Sequence, residues 1–303
     1  MRSPLRQLAA AQHGAFSTAQ ALLCYSPGEV RARLAGGHWV QVFSGSHRLA
    51  RAEPNARLRT SAAGLSLGRE VPACLHTAAE LHGFGVLLDP VTHVAVPGSA
   101  PLLHRAGLWP HQLALGDDDL TRLRCGIVAT TAERTAVDLA RTLPRLDALP
   151  VLDAALAAGV CTQESLASEV SRHAGLRGVR QARELVPLAC EGPESPPESR
   201  LRLLCHDAKL PPPTVQHLVT DGRARRWIDL AWEEAMVGLE HDGEVHDGPD
   251  RRRSDRRRHN WFQNLGWTMF YATDADTYGD PARLLAQVAA AVGRRSRAKR
   301  RSA

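Results

Sequence analysis

The sequence predicts a multidomain protein of the α+β and α/β classes. Three observations predict it. The chain has 303 residues, more than one hydrophobic core usually holds. Its first fifty residues carry three short capped helical stretches and then a hairpin pattern. Its last third alternates β-rich runs with helical spacing, and acids stand inside the β-rich runs where core residues belong. These observations divide the chain into residues 1–52, a mixed region 56–189, a C-terminal mixed sheet flanked by helices over 194–293, and a basic tail 294–303 expected to be disordered.

Leu5, Leu8, Ala9 and Gln12 give a first helix that stops at Gly14. Ser17 caps a second, Thr18 to Cys24. Ser26-Pro27-Gly28-Glu29 is a capping box with proline at the first helical position, opening a third helix that ends at Gly36-Gly37. Trp39 to Phe43, a Ser44-Gly45-Ser46 turn and His47-Arg48-Leu49 form a hairpin. Three helices and a hairpin make a winged helix-turn-helix. With its wing closed by Gly45-Ser46-His47-Arg48, this segment resembles the N-terminal domain of AbiEi-type abortive-infection antitoxins of type IV toxin–antitoxin systems. The resemblance implies that the third helix enters the major groove of DNA with Arg31 and Arg33, and that Arg48 sits by the backbone. Such folds also serve as protein-contact modules.

The middle region expects a short helix over His76–His82 stopped by Gly83, a strand Thr92–Val96, and a capped amphipathic helix from Thr130 to Arg141. Further helices are expected at Leu146–Ala158, Gln163–Arg172 and Gly178–Leu188. Their order again resembles the antitoxin region. His76, His82, His93, His104 and His111 fit no zinc spacing and read as structural. Glu191 to Pro197 reads as a linker.

Beyond it, Pro196 to Asp207 has helical spacing, with Ser195 as N-cap. Val215 to Val219 and Arg226 to Trp232 flank Asp221-Gly222, a two-residue hairpin signal. A tight turn at Glu233-Glu234 leads to Val237-Gly-Leu-Glu240-His-Asp242, so three antiparallel strands lie side by side. Side chains alternate along a strand, so Glu240 and Asp242 share a face that Asp229 can reach. Burying an unpaired carboxylate is costly, and a bound cation is one escape. Acids aimed at one point from neighbouring strands point to a magnesium site for phosphodiester chemistry. Trp267 to Ala272 reads as a buried strand and Pro281 to Val292 as a helix.

Glu198-Ser-Arg-Leu, Trp227-Ile-Asp229-Leu, Glu240-His-Asp242-Gly-x-x-His246, Asp255-Arg256-x-Arg258 and Leu265-Gly-Trp267 together resemble the domain family related to very-short-patch-repair (Vsr-like) endonucleases of the PD-(D/E)xK superfamily. The resemblance implies a restriction-endonuclease-like fold and a metal-dependent nuclease. In that reading Asp229 and Glu240 hold Mg²⁺ or Mn²⁺, and Glu198 orients the attacking water or completes the metal shell. Asp242 and His246 assist, as further ligands or, for His246, as a base. Arg256 and Arg258 clamp the scissile phosphate. The superfamily lysine is missing: Asp242 stands in its place, and the chain's two lysines, Lys209 and Lys299, lie elsewhere.

Net charge is +6, nearly all from arginine, which fits a polyanionic partner. Six scattered cysteines without a Cys-x-x-Cys pair fit reduced thiols in a cytoplasm. No apolar run approaches the roughly 20 residues of a membrane span, and no signal-peptide core stands at the N-terminus. Two functions are expected from these readings. The first is a Mg-dependent DNA endonuclease recruited by its winged helix. The second is a non-catalytic DNA-binding regulator or antitoxin, with a cognate toxin or a second copy of this chain as further partner.

Overall fold

The computed structural model describes residues 1–302 except Leu88, Pro101, Leu103 and 243–248; for 249–255 and 295–302 it describes the backbone alone. The chain divides into two compact units, 1–142 with 158–183, and 143–157 with 184–303. The fold is mixed α+β with several small sheets, as expected.

The first unit opens with α1 (Ser3–Ala11), β1 (Ala15–Ser17), α2 (Thr18–Leu22), α3 (Pro27–Ala35), β2 (Trp39–Phe43) and β3 (Ser46–Leu49). Ser17 and Ser26 both close capping boxes, with Gln20 and Glu29 reaching back to the cap N–H groups. Each box satisfies two backbone donors that a helix start leaves orphaned. The strands form one sheet in the order β1-β3-β2, and β1 is an addition to the expected hairpin. Gly45 turns the wing at φ +75°, a left-handed backbone that favours glycine. Leu5, Phe16, Tyr25, Val30 and Trp39 form the core, with Trp39 edge-on to Phe16 at 4.9 Å and to Tyr25 at 5.2 Å.

The unit continues through α4 (Ala56–Leu67), α5 (Leu75–His82), β4 (Thr92–Val96), β5 (Leu108–Gln112), β6 (Leu120–Arg122), β7 (Val128–Thr130) and α6 (Ala132–Thr142). β4 and β5 pair in parallel, β6 and β7 antiparallel. Arg134 of α6 is only 1% exposed and bridges two buried acids: its Nε donates to Asp138 at 2.8 Å and its Nη1 to Asp119 at 2.9 Å. Next in the chain is α7 (Arg145–Ala157), then α8 (Gln163–Arg172) and α9 (Val179–Leu185). Of these, α8 and the first five residues of α9 belong to the first unit.

Helix α7, expected as part of the middle region, falls in the second compact unit. The reason is a set of ion pairs distant in sequence. α10 (Pro196–Asp207) sends Arg200 to Asp147 at 2.8 Å and Arg202 to Asp153 at 2.7 Å, and Cys190 N–H donates to Asp153 at 2.8 Å. α7 meanwhile buries Leu149, Val151, Leu152 and Leu156.

After α10 come β8 (Thr214–Thr220), β9 (Arg225–Trp232), β10 (Val237–His241), α11 (Pro249–Asn264), β11 (Thr268–Ala272), α12 (Asp274–Tyr278) and α13 (Ala282–Ser302). The sheet order is β11-β10-β9-β8, with β10 and β11 parallel and the others antiparallel. Leu201, Leu230, Trp232, Val237, Leu239, Leu285 and Val288 pack one cluster, and Ile228, Phe262, Trp267 and Met269 another. Gly238 permits the close approach between them: a Cβ there would lie 2.6 Å from Met269 Sδ.

Two local expectations change. Thr220 pairs with Arg225, so the first hairpin loop is Asp221–Ala224 rather than two residues. Asp221 stabilises the longer loop by accepting from the N–H groups of Arg223 and Ala224 at 2.8 and 2.7 Å. The tail expected to be disordered is helical in backbone, because α13 runs to Ser302. Alanine, arginine and lysine are good helix formers and carry the helix on.

Candidate functional site

The β9–β10 ladder ends at Leu230 opposite Leu239. One residue further, the Asp229 side chain takes over from the backbone: its Oδ2 accepts the His241 N–H at 2.9 Å. The acid is thereby held inward at the strand ends. Glu240, 7% exposed, stands beside it. Both line a cavity of about 430 Å³ together with Asp242, Arg256, Arg258 and His259. The sheet therefore brings Asp229, Glu240 and Asp242 to the lining of one cavity. His246 lies outside the described residues.

Burial, and then the charges of Glu198 and Glu240, raise the Asp229 carboxyl to about 7, against the opposing pull of the His241 N–H and Arg258. Burial also raises Glu240, although Arg258 donates to its Oε1 at 2.6 Å. Arg258 Nη2 also donates to the Trp227 carbonyl at 2.7 Å, which fixes the guanidinium at the cavity wall. Arg256 is exposed and also lines the cavity. The cation facing the acids is thus an arginine of α11, in a chain whose sequence lacks a lysine at this site.

Glu198 takes a different place from the one expected. It sits in the first turn of α10, where its Oε2 accepts from Glu194 N–H at 2.9 Å and its Oε1 from Ser195 Oγ at 2.7 Å. Ser195 is the N-cap residue, but its hydroxyl donates to Glu198 rather than capping a backbone N–H. Gln216 joins Glu198 to the cavity, donating to Glu198 Oε2 at 2.8 Å and approaching Asp229 Oδ1 at 3.5 Å. Gln216 was not visible as a site residue in the sequence. Its backbone has φ +50° within a strand, where a non-glycine residue is strained.

Asp229 and Glu240 present carboxylate oxygens to one partly buried space, and Mg²⁺ or Mn²⁺ takes oxygen ligands of this kind. Both carboxyls are raised chiefly by burial, which disfavours the charged form. His241, expected to point away from the acids, also lines the cavity, and its Nε2 lies 3.2 Å from Asp274 Oδ1.

At the front of the chain, α3 turns Gly28, Arg31, Ala32 and Ala35 outward. Arg33 lies instead over the Tyr25 ring at 4.6 Å and the Trp39 ring at 5.6 Å. Arg48 Nη1 donates to the carbonyls of Leu49, Ala50 and Ala52 at 3.1, 2.8 and 2.7 Å. Of the three arginines, Arg31 alone is fully exposed. In the middle region, His93 bonds His111 at 2.8 Å and Asp89 at 2.9 Å.

Residues 71–188 match the AbiEi antitoxin C-terminal domain family. Two uncharacterised proteins of Mycobacterium tuberculosis, one from each of two strains, are each 34% identical to the chain over 259 residues, covering 85% of it and 93% of the relative. The matched family segment ends before α10, and the comparisons give no support to a Vsr-like nuclease domain. No helix among the described residues is long and apolar enough to cross a membrane.

Proposed function

The chain belongs to one family with these mycobacterial proteins, and on that premise we propose that it is a DNA-binding regulator of the antitoxin kind, with a cognate toxin as second partner. The AbiEi-like segment 71–188 supports the antitoxin side. The observation that carries DNA binding is the outward face of α3. Gly28, Ala32 and Ala35 are small enough for the helix backbone to approach a groove, and Arg31 stands among them. The wing beside it fits the usual docking of such modules. The test is a mobility-shift titration of duplex DNA with the full chain. Retarded complexes whose affinity falls steeply with salt support the proposal, and their absence defeats it.

One observation favours a second reading. Asp229, half-buried, and Glu240, buried, line one cavity with an arginine at its wall. In a Mg-dependent endonuclease they would hold the metal, which supplies a lowered water pKa and neutralises phosphate charge. Asp229 would be oriented by the His241 N–H, and Arg258 and Arg256 would hold a phosphate at the rim. Asp242 and His246 would assist, and Glu198 would position Asp229 through Gln216. Plasmid incubated with Mg²⁺ or Mn²⁺ and with EDTA decides this reading: cleavage only with metal, lost in Asp229→Asn and Glu240→Gln, supports it.

A further inference from the structure

Within the first unit a second group of ionisable side chains gathers where no motif pointed. Asp119 ends a 3-10 turn (Asp117–Asp119), Glu169 lies on α8, and His173 caps that helix. One ligand atom from each lies within 4.8 Å of the other two. We propose that Asp119, Glu169 and His173 form a binding site for a divalent transition-metal ion, with Zn²⁺ the ion of best fit.

The first support is the pairing pattern of the oxygens. Asp119 is held by its Oδ2, which accepts from Arg134 at 2.9 Å and from Gly116 N–H at 2.8 Å, and this turns Oδ1 towards His173. Glu169 is held by its Oε2, which accepts from Arg172 at 2.8 Å, and this turns Oε1 towards His173. Outer partners that grip one carboxylate oxygen and leave the other facing inward are what metal ligands ordinarily have.

The second support is independent of the first. Glu169 is 3% exposed, yet its Oε1 has no hydrogen-bond partner, and neither has the buried Nε2 of His173. The two atoms stand 2.8 Å apart and are misaligned for a hydrogen bond. With the imidazole neutral, these two atoms would present two lone pairs to one ion, in place of the ion pair they form when His173 is protonated. Ligands at about 2.0–2.2 Å from zinc stand roughly 3 Å apart. Asp119 Oδ1, 3.5 Å from His173 Nε2, supplies the third position. Imidazole with two carboxylates is a donor set that zinc accepts, and water takes the fourth place.

One neighbour competes. Arg172 Nη2 reaches Asp119 Oδ1 at 3.1 Å, but its side chain is 44% exposed and can swing into solvent while Nη1 keeps Glu169. The ion would tie the turn before β6 to the end of α8, within the AbiEi-like segment. The proposal does not rest on DNA binding or on the cavity at Asp229.

Chelator-stripped full-length protein is titrated calorimetrically with Zn²⁺, beside Glu169→Gln, His173→Gln and the double variant Asp229→Asn, Glu240→Gln. The expected result is one site that survives in the double variant and weakens at least about tenfold in each of the other two. In parallel, Zn²⁺ should protect His173 of the wild-type chain from diethylpyrocarbonate, read by mass spectrometry, so the outcome does not hang on the folding of a variant. No Zn²⁺ binding by the wild-type chain, binding unchanged by Glu169→Gln and His173→Gln, or His173 modified equally with and without Zn²⁺ would each overturn the proposal.

Discussion

Replacing Asp229 with asparagine is expected to stabilise the metal-free protein, and increasingly so as pH rises. The Asp229 carboxyl stands at about 7, against an ordinary value of 3.8, chiefly because of burial. Between those two values the unfolded chain has lost the proton while the folded chain keeps it. The folded state then binds more protons, so stability falls as pH rises through this window and levels off above about 7. The rise corresponds to about 4 kcal/mol at about 1.4 kcal/mol per pH unit. That figure is an upper value, because part of it is repulsion from Glu198 and Glu240. Asparagine keeps the shape, and its Oδ1 can still accept the His241 N–H that Asp229 now takes at 2.9 Å. Urea denaturation of both proteins in EDTA, at pH 4.5 and at pH 8, measures the effect. The variant should exceed the wild type by no more than about 1 kcal/mol at the lower pH and by about 2–4 kcal/mol at the higher. Added Mg²⁺ should raise the wild type at pH 8 and leave the variant unmoved. A variant less stable than the wild type at pH 8, or a difference that ignores pH, would refute the placement of a strained buried acid at this site.

Other substitutions separate structural arginines from contact arginines. Arg31→Ala should weaken DNA binding and lower the salt slope by about one counterion, read by anisotropy at several salt concentrations. Arg48→Ala should instead lower the denaturation midpoint, since it removes the side-chain donor that ties the carbonyls of Leu49, Ala50 and Ala52 together. Arg134→Met leaves the buried Asp119 and Asp138 without that partner and should cost about 3–5 kcal/mol in urea unfolding. Gly238→Ala should destabilise the second unit, because its Cβ would meet Met269 Sδ at 2.6 Å.

The legible parts of this fold were those set by near neighbours. The box Ser26–Glu29 fixes the start of α3 from four residues, and the stop at Gly83 follows from its left-handed φ of +89°. The placing of Asp229, Glu240 and Asp242 along one cavity followed from strand order and alternation. What stayed hidden depends on distant partners. β1 is three residues long and exists because β3 pairs with it. α7 looks like one more helix of the middle region until Arg200 and Arg202 claim its acids from about fifty positions away. Gln216 carries no signal for its role, because only a distorted strand turns it between Glu198 and Asp229. Arg33 and Arg48 read as basic contacts because charge is visible in a sequence, whereas the aromatic rings and carbonyls that engage them are not. The cluster joins Glu169 and His173, four apart at the end of one helix, to Asp119 about fifty positions earlier, and that distant partner is what the sequence does not show.

The central claim, a DNA-binding regulator rather than a nuclease, meets its most direct test in one tube. Fluorescently labelled duplex DNA is titrated with the full chain at several salt concentrations, with Mg²⁺ and with EDTA, and the DNA is then run on a denaturing gel. The account predicts binding that falls steeply with salt, survives EDTA, weakens in Arg31→Ala and leaves the strands intact. Absence of salt-dependent binding, or strands cut in Mg²⁺ and whole in EDTA, would contradict it.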